Sequence, residues 1–316
     1  MAMKRVIYLG AEEGFEATRD ALVGAADVVH VKAEPHEVAA ALKDADGVLD
    51  ASMKVRLTPE MLAAAPRLKI ISTATTGSDH ISREGLDQRG IPVRTLKEDP
   101  NVLRNITPAA ELTWTLLMAL ARKLPAALKH VAEGGWTREQ FPGVMLRGKT
   151  LGLIGCGRIG GWMARYARAF DMDVIGYDPF LQTFPDTIRK VSLPDVFAQS
   201  DFVSIHVHLS PETTGLVTKA LIGSMKPGAF LINTSRGAIV DEAALLAALE
   251  SGHLGGAGLD VLDGEPDTAN LPLVRYAKTH DNLLITPHIG GFSPDAVRVV
   301  CAHAAGKIRA AFEGVK

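Results

Sequence analysis

The sequence predicts an α/β fold in two domains, and three observations carry that prediction. The chain has 316 residues, which is long for a single packed core and suits two compact units. Short β-branched runs alternate with stretches of helical periodicity in two series, one before about residue 100 and one after Lys149, the pattern of parallel sheets covered by helices. Within the second series a G-x-G-x-x-G run follows an apolar strand and opens a helical pattern.

The first series places strands at Val6 to Leu9, Val28 to Val31, Gly47 to Ala51 and Leu68 to Thr75. Thr58-Pro59-Glu60 reads as a helix start, with Thr58 as the cap and proline at the first helical position. The stretch from Glu98 to Asn105 breaks the rhythm. A long apolar helix is expected from Thr107 to Leu124, kinked or ended by Pro125. The second series places strands at Thr150 to Gly155, Asp173 to Asp178, Phe202 to Val207, Ala229 to Thr234, Ala257 to Val261 and Leu283 to Thr286. That number suits a doubly wound nucleotide-binding sheet. The tail from Pro294 to Phe312 has helical periodicity and is expected to pack back across a cleft between the domains. No repeat or low-complexity segment is present.

Composition narrows the partners. Hydrophobic residues make up 47% and charged residues 22%, with a formal net charge of −2 and no block of like charge. Nothing there attracts nucleic acid or an anionic membrane, so a small molecule is the expected partner. Cys156 and Cys301 are too few and too far apart for a disulfide framework or a structural zinc site, which fits a cytoplasmic location. The stretch from Met1 to Gly10 lacks the features of a signal peptide and reads as a first strand. Leu112 to Leu120, the most apolar stretch, falls short of the roughly 20 residues that span a bilayer. The chain also ends without room for an additional C-terminal regulatory domain.

The glycine run is Gly155, Gly157 and Gly160, with Arg158 and Ile159 inside it. The first glycine permits the tight turn, the second lets backbone approach a pyrophosphate, and the third lets helix and strand pack closely. The following strand ends at Asp178, about 20 positions further on, where a carboxylate can accept both ribose hydroxyls. Asp178 also reads as the start of an Asp-Pro turn. A carboxylate there repels a 2′-phosphate, so NAD is expected rather than NADP.

Five ordered motifs then resemble the D-isomer-specific 2-hydroxyacid dehydrogenase family along nearly the whole chain. They are Gly155 to Gly160 with Asp178; His206 to Thr213; Asn233-Thr-Ser-Arg236-Gly237; Gly258-Leu-Asp260 with Glu265-Pro266; and Thr286-Pro-His288-Ile-Gly-Gly291. The resemblance implies a Rossmann dinucleotide-binding domain, 101–289, inserted in a flavodoxin-like substrate domain, 1–100 plus 290–316. It implies an NAD-dependent oxidoreductase that interconverts a small D-2-hydroxy acid and its 2-oxo acid.

Carried over by position, the resemblance assigns Arg236 to the substrate's carboxylate and carbonyl oxygen, and His288 to the proton. Glu265 would orient and charge His288. Hydride delivery to a carbonyl carbon builds negative charge on oxygen, which a guanidinium fork and an imidazolium stabilise. A carboxylate beside an imidazole favours its protonated form. By resemblance, His206, Thr213, Thr234 and Asp260 join the glycine run and Asp178 in holding the cofactor. The loop Ala74-Thr75-Thr76-Gly77, placed after a strand, would meet the substrate's carboxylate through backbone amides. The two domains are expected to close on these groups about hinges near residues 100 and 290.

Three positions depart from the family's usual pattern. Thr75 stands where glycine is common, His208 where proline is common, and Phe292 where a small residue usually follows the two glycines. These bear on the substrate, which stays open among phosphoglycerate, glyoxylate, hydroxypyruvate and bulkier 2-oxo acids. Taken singly, Arg236 reads as readily as a solvated loop arginine, Glu265 as a helix cap and His288 as a structural histidine. Their joint spacing favours chemistry. His206 and His208 share one face of a strand, but no third ligand is near and no metal is expected. Trp136 reads equally as packing or as part of an arm that, by resemblance, contributes to a homodimer. The competing function is an NAD(H)-sensing, corepressor-like interaction protein that keeps the fold without turnover. Retention of Arg236, Glu265 and His288 argues against it. Formate dehydrogenase is disfavoured because that relative pairs its histidine with glutamine.

Overall fold

The structure is a computed structural model that describes residues 3–314. The parts of the expected ranges that fall on residues 1, 2, 315 and 316 lie outside the described residues. The chain divides into two compact units, Met1–Ile106 with Phe292–Lys316, and Thr107–Gly291.

The first unit begins with β1 (Lys4–Leu9), α1 (Glu12–Ala21), β2 (Ala26–His30), α2 (Pro35–Leu42), β3 (Gly47–Asp50), α3 (Pro59–Ala63), β4 (Ile70–Thr73), β5 (Val93–Arg94) and α4 (Pro100–Leu103). Its five strands are parallel in the order β2-β1-β3-β4-β5. The chain direction across this sheet reverses between β1 and β3, so the carboxyl ends of those strands open a crevice. Thr58 caps α3 as the sequence predicts, its side chain accepting from the Met61 amide. β5 was invisible to periodicity, since two residues cannot establish an alternation.

The second unit holds α5 (Pro108–Ala121), α6 (Leu124–Ala132), β6 (Thr150–Ile154), α7 (Arg158–Ala169), β7 (Asp173–Tyr177), β8 (Arg189–Lys190), α8 (Leu193–Gln199), β9 (Phe202–Ile205), α9 (Lys219–Gly223), β10 (Phe230–Asn233), α10 (Glu242–Glu250), β11 (Gly256–Leu259), α11 (Pro272–Ala277) and β12 (Leu283–Ile285). Seven parallel strands run β12-β11-β10-β9-β6-β7-β8, reversing between β6 and β9. Successive residues face opposite sides: Ile154 packs with Phe197, Ile222 and Leu245, while Leu153 packs with Leu117, Met163 and Ala167.

One helix prediction needs correction. Pro125 does not end the helix that starts near Thr107; it sits in the first turn of α6, where its missing N–H costs nothing. The break falls at Lys123, which takes a left-handed φ of 50°.

After the second unit the chain returns to the first as α12 (Pro294–Glu313). Ser293 caps it, and its buried face, including Val300, Cys301, Ala304 and Ile308, packs with Val6, Tyr8 and Ile70 of the first unit's own sheet. The expected return is therefore onto that sheet, with the Ser72 hydroxyl donating to the Ala304 carbonyl at 3.0 Å. No helix among the described residues is long and apolar enough to cross a membrane.

Candidate active site

In the second unit, the carboxyl ends of β6 and β9 meet at the reversal of strand order, where doubly wound sheets bind ligands. Gly155 turns there with φ 90°, and a Cβ on it would stand 2.7 Å from the His206 carbonyl oxygen. A Cβ on Gly160 would lie 2.2 Å from the Gly155 carbonyl oxygen, whereas one on Gly157 would meet nothing within 4 Å. The first and third glycines are thus required by packing, and the second leaves open backbone at the N-terminus of α7. This is a cradle into which an anion fits. Arg158 starts α7, and its burial lowers the guanidinium's affinity for its proton.

Asp178 follows β7 beside this loop. Its carboxylate accepts the Cys156 amide at 2.9 Å and the Phe180 amide at 3.0 Å, leaving further lone pairs for hydroxyl donors. Cys156 is buried, and burial pushes its thiol up to about 12, so it is no thiolate nucleophile. The Ser204 hydroxyl and the His206 Nε2 are 2.8 Å apart, while the His206 Nδ1 is buried with no hydrogen-bond partner among the described residues. Burial lowers the His206 pKa to about 3, so the ring is neutral. Thr213 closes its own turn, accepting the Ser210 amide at 2.8 Å and donating to the His208 carbonyl at 2.6 Å. Ile159 is partly buried against the core that α5 and α7 share.

At the end of β10, buried Asn233 organises the Arg236 loop. Its side-chain oxygen accepts the Ser235 amide and its nitrogen donates to the Arg236 carbonyl, at 3.0 and 2.8 Å. The Thr234 hydroxyl pairs with Thr113 of α5 at 2.7 Å. Gly237 brings this loop against the next one, since a Cβ there would lie 2.0 Å from the Asp263 amide nitrogen. Glu242 of α10 also accepts that amide, at 2.8 Å. Burial first, then the neighbouring carboxylates of Asp263 and Glu265, raise the Glu242 carboxyl.

Glu265 and His288, 23 residues apart, meet in a 2.9 Å hydrogen bond between Oε1 and Nδ1. Both side chains keep about a third of their surface, 30% and 33%. The ring's Nε2 is therefore the nitrogen left for exchange with a reacting oxygen. His288 has a left-handed φ of 56°, unusual for a residue with a Cβ, and Asp260 holds it. The Asp260 carbonyl accepts the His288 amide, while its carboxylate accepts the Ile289 amide, the Gly290 amide and the Thr286 hydroxyl. Burial raises the Asp260 carboxyl, and these three donors oppose it.

The second unit thus carries the glycine run, Asp178, His206, Thr234, Arg236, Asp260 and His288 after the carboxyl ends of its parallel strands, with Glu265 brought to His288. Ala74 to Gly77 belong to the first unit, after β4. Thr113 escaped the sequence reading and Thr286 was read only as part of a motif, because each is an ordinary threonine whose role comes from a partner distant in sequence. His208, Phe292 and Trp136 are exposed, Trp136 by 88%. Among the described residues, no three histidine, cysteine or acidic side chains cluster in a way that could hold a metal.

A family model described as the NAD binding domain of D-isomer specific 2-hydroxyacid dehydrogenases matches residues 114–290. D-3-phosphoglycerate dehydrogenase of Rattus norvegicus is 37% identical over 265 residues, 82% of this chain and 47% of the relative. The chain spans about half the length of the curated relatives it matches. Among solved structures, the TT0316 protein from Thermus thermophilus aligns with a TM-score of 0.86 at 34% identity, covering 98% of this chain and 97% of that one. D-Lactate dehydrogenase from Aquifex aeolicus, complexed with NAD and lactic acid, aligns with a TM-score of 0.82 at 28% identity, covering 98% and 96%.

Proposed function

The chain belongs to the D-isomer specific 2-hydroxyacid dehydrogenase family, and from that premise we propose that it transfers a hydride between NAD(H) and a small D-2-hydroxy acid/2-oxo acid pair. The observation that carries this reading is the hydrogen bond that the His288 Nδ1 donates to the Glu265 carboxylate, which fixes the ring and leaves Nε2 for a substrate oxygen. A histidine held this way donates a proton during reduction and accepts one during oxidation.

In this reading the glycine run and Asp178 hold the cofactor, with His206, Thr213, Thr234 and Asp260 around it. NADH supplies the hydride when bound. Arg236 takes the substrate's carboxylate and stabilises charge on its carbonyl oxygen through a planar fork of donors. The amides of Thr75, Thr76 and Gly77 receive the carboxylate as well. None of these three amides is spent on a hydrogen bond within the described residues.

The names of the relatives put 3-phosphoglycerate and its 2-oxo acid first among substrates to try, with lactate and pyruvate next. The test is a panel of 2-oxo acids with NADH consumption as the readout. Turnover of at least one supports the reading. Tight NADH binding with no turnover across the panel would assign the chain to cofactor sensing instead. We also propose a homodimer, because Leu124, Leu128 and Val131 of α6 stay exposed together with Trp136 and Met145. Sedimentation at micromolar concentration decides it. Two free, buried thiols support a reducing, cytoplasmic location.

A further inference from the structure

In the first unit, the crevice at the reversal of strand order is occupied by an acid. Asp50 ends β3, and the Ala51 amide bonds back to Leu9 at the end of β1. Its side chain has no exposed surface. A buried carboxylate is costly unless several donors meet it. Here four do: Oδ1 accepts the Ser52 amide at 2.7 Å, the Ser52 hydroxyl at 2.9 Å and the Met53 amide at 3.2 Å, and Oδ2 meets the His80 Nε2 at 2.9 Å.

These bonds have two separate effects. The first is on the loop after β3. Its Ser52 and Met53 amides are spent on Asp50 and its Lys54 amide on the Ser52 hydroxyl, with Met53 held at φ 54°. That loop has few amides left for an anion. The second effect is on the loop after β4. The Ala74 amide bonds to the Asp50 carbonyl at one end, and His80 is held by the Asp50 carboxylate at the other. The segment between carries the unspent amides of Thr75, Thr76 and Gly77, and side-chain bonds from Thr73 to the Thr75 carbonyl and from Thr75 to the Gly77 carbonyl shape it. The His80 side chain is 9% exposed and, among the described residues, its Nδ1 has no hydrogen-bond partner, so the Asp50 carboxylate is what the ring's hydrogen bonding is aimed at.

We propose that Asp50 and His80 form a positioning pair that holds the Thr75–Gly77 amides in shape for the substrate's carboxylate and makes this loop, not the one after β3, the anion site of the first unit. The proposal rests on the reading of those amides as the carboxylate site. Neither residue touches the reacting atoms. Both act through the loop that Asp50 grips at two points.

The test compares His80→Ala, His80→Gln, Asp50→Asn and the double variant Asp50→Asn/His80→Ala in the full chain with NADH bound. Two readouts are taken: steady-state reduction of glyoxylate, and calorimetric binding of oxalate, an unreactive dianion carrying the same carboxylate. His80→Ala is expected to raise KM and weaken oxalate at least tenfold, with kcat and the NADH Kd within threefold of wild type. His80→Gln keeps a donor at the Nε2 position for Asp50 and should recover most of the loss. The double variant should be no worse than His80→Ala, because the two residues act as a unit. Should His80→Ala fail to fold, Asp50→Asn is expected to show the same rise in KM and loss of oxalate affinity, with His80→Gln as the mild control.

Unchanged KM and oxalate affinity in folded His80→Ala, or in Asp50→Asn where His80→Ala does not fold, overturns the proposal. So does a parallel rise in the NADH Kd, which would mark general loosening. If wild type reduces no 2-oxo acid, the dehydrogenase reading fails and oxalate binding judges the pair alone. Wild type that binds no oxalate overturns the pair as well.

Discussion

Asp260 grips both sides of His288: its carbonyl accepts the His288 amide at 2.9 Å, and its carboxylate accepts the next two amides, Ile289 at 2.9 Å and Gly290 at 2.7 Å. The left-handed backbone of His288 is therefore held largely by one residue that directly follows β11, the strand next to β12. Asp260→Asn would turn one carboxylate oxygen into a donor facing an N–H or a hydroxyl. We predict a stability loss of about 1–3 kcal/mol by urea unfolding and at least a tenfold fall in kcat/KM. A variant with wild-type stability and rate would detach Asp260 from the positioning of His288.

The Glu265–His288 pair separates turnover from binding. Glu265→Gln keeps size and a hydrogen bond but removes the carboxylate that holds the His288 Nδ1. Turnover in 2-oxo acid reduction should fall at least tenfold in kcat, with the NADH affinity unchanged within threefold. His288→Asn should lose at least 100-fold in kcat in both directions, with NADH affinity within threefold. Initial rates, with fluorescence titration of NADH, check both. Near wild-type turnover in either variant removes that residue from the chemistry.

Asp178 is expected to set the cofactor. Its carboxylate is already tied to the Cys156 and Phe180 amides, so it is fixed in place before any ribose arrives. Asp178→Ala should lower the ratio of kcat/KM for NADH over NADPH at least tenfold, mainly by weakening NADH use. Wild-type protein that prefers NADPH contradicts the assignment.

His206 predicts an acid-sensitive fold. Its pKa is lowered to about 3 by burial, while the unfolded chain titrates near the ordinary value of about 6.5. The unfolded state then binds more protons between those values, so stability falls as pH drops through that window and is unaffected by this group above it. His206→Gln should flatten the decline in urea-unfolding free energy between pH 6 and pH 4 by up to about 1 kcal/mol per pH unit. An identical slope in the variant would show that the ring is solvated in the native state.

The alternation of strands and helices, the glycine run and Asp178 could be read from the sequence because each is a local pattern. A β-branched run, a cap such as Thr58 or a glycine turn needs only neighbours within a few positions. Arg236, Glu265 and His288 were visible as family motifs, but nothing in the sequence around Glu265 shows that it meets His288. Their bond spans 23 residues, and that of Asp50 and His80 spans 30. Such pairs depend on which strands become neighbours in a sheet. Strand order is decided by burying whole faces of the sheet at once, a term spread over dozens of side chains that leaves no mark on either partner. The same holds for the two-residue strands β5 and β8, which exist because longer neighbours offer them an edge. It holds too for α12, whose helical period was plain while its seat on the first unit's sheet came only from packing. The sequence by itself determined which chemical groups this protein carries and the local turns that present several of them; the tertiary structure alone decided which of those groups touch.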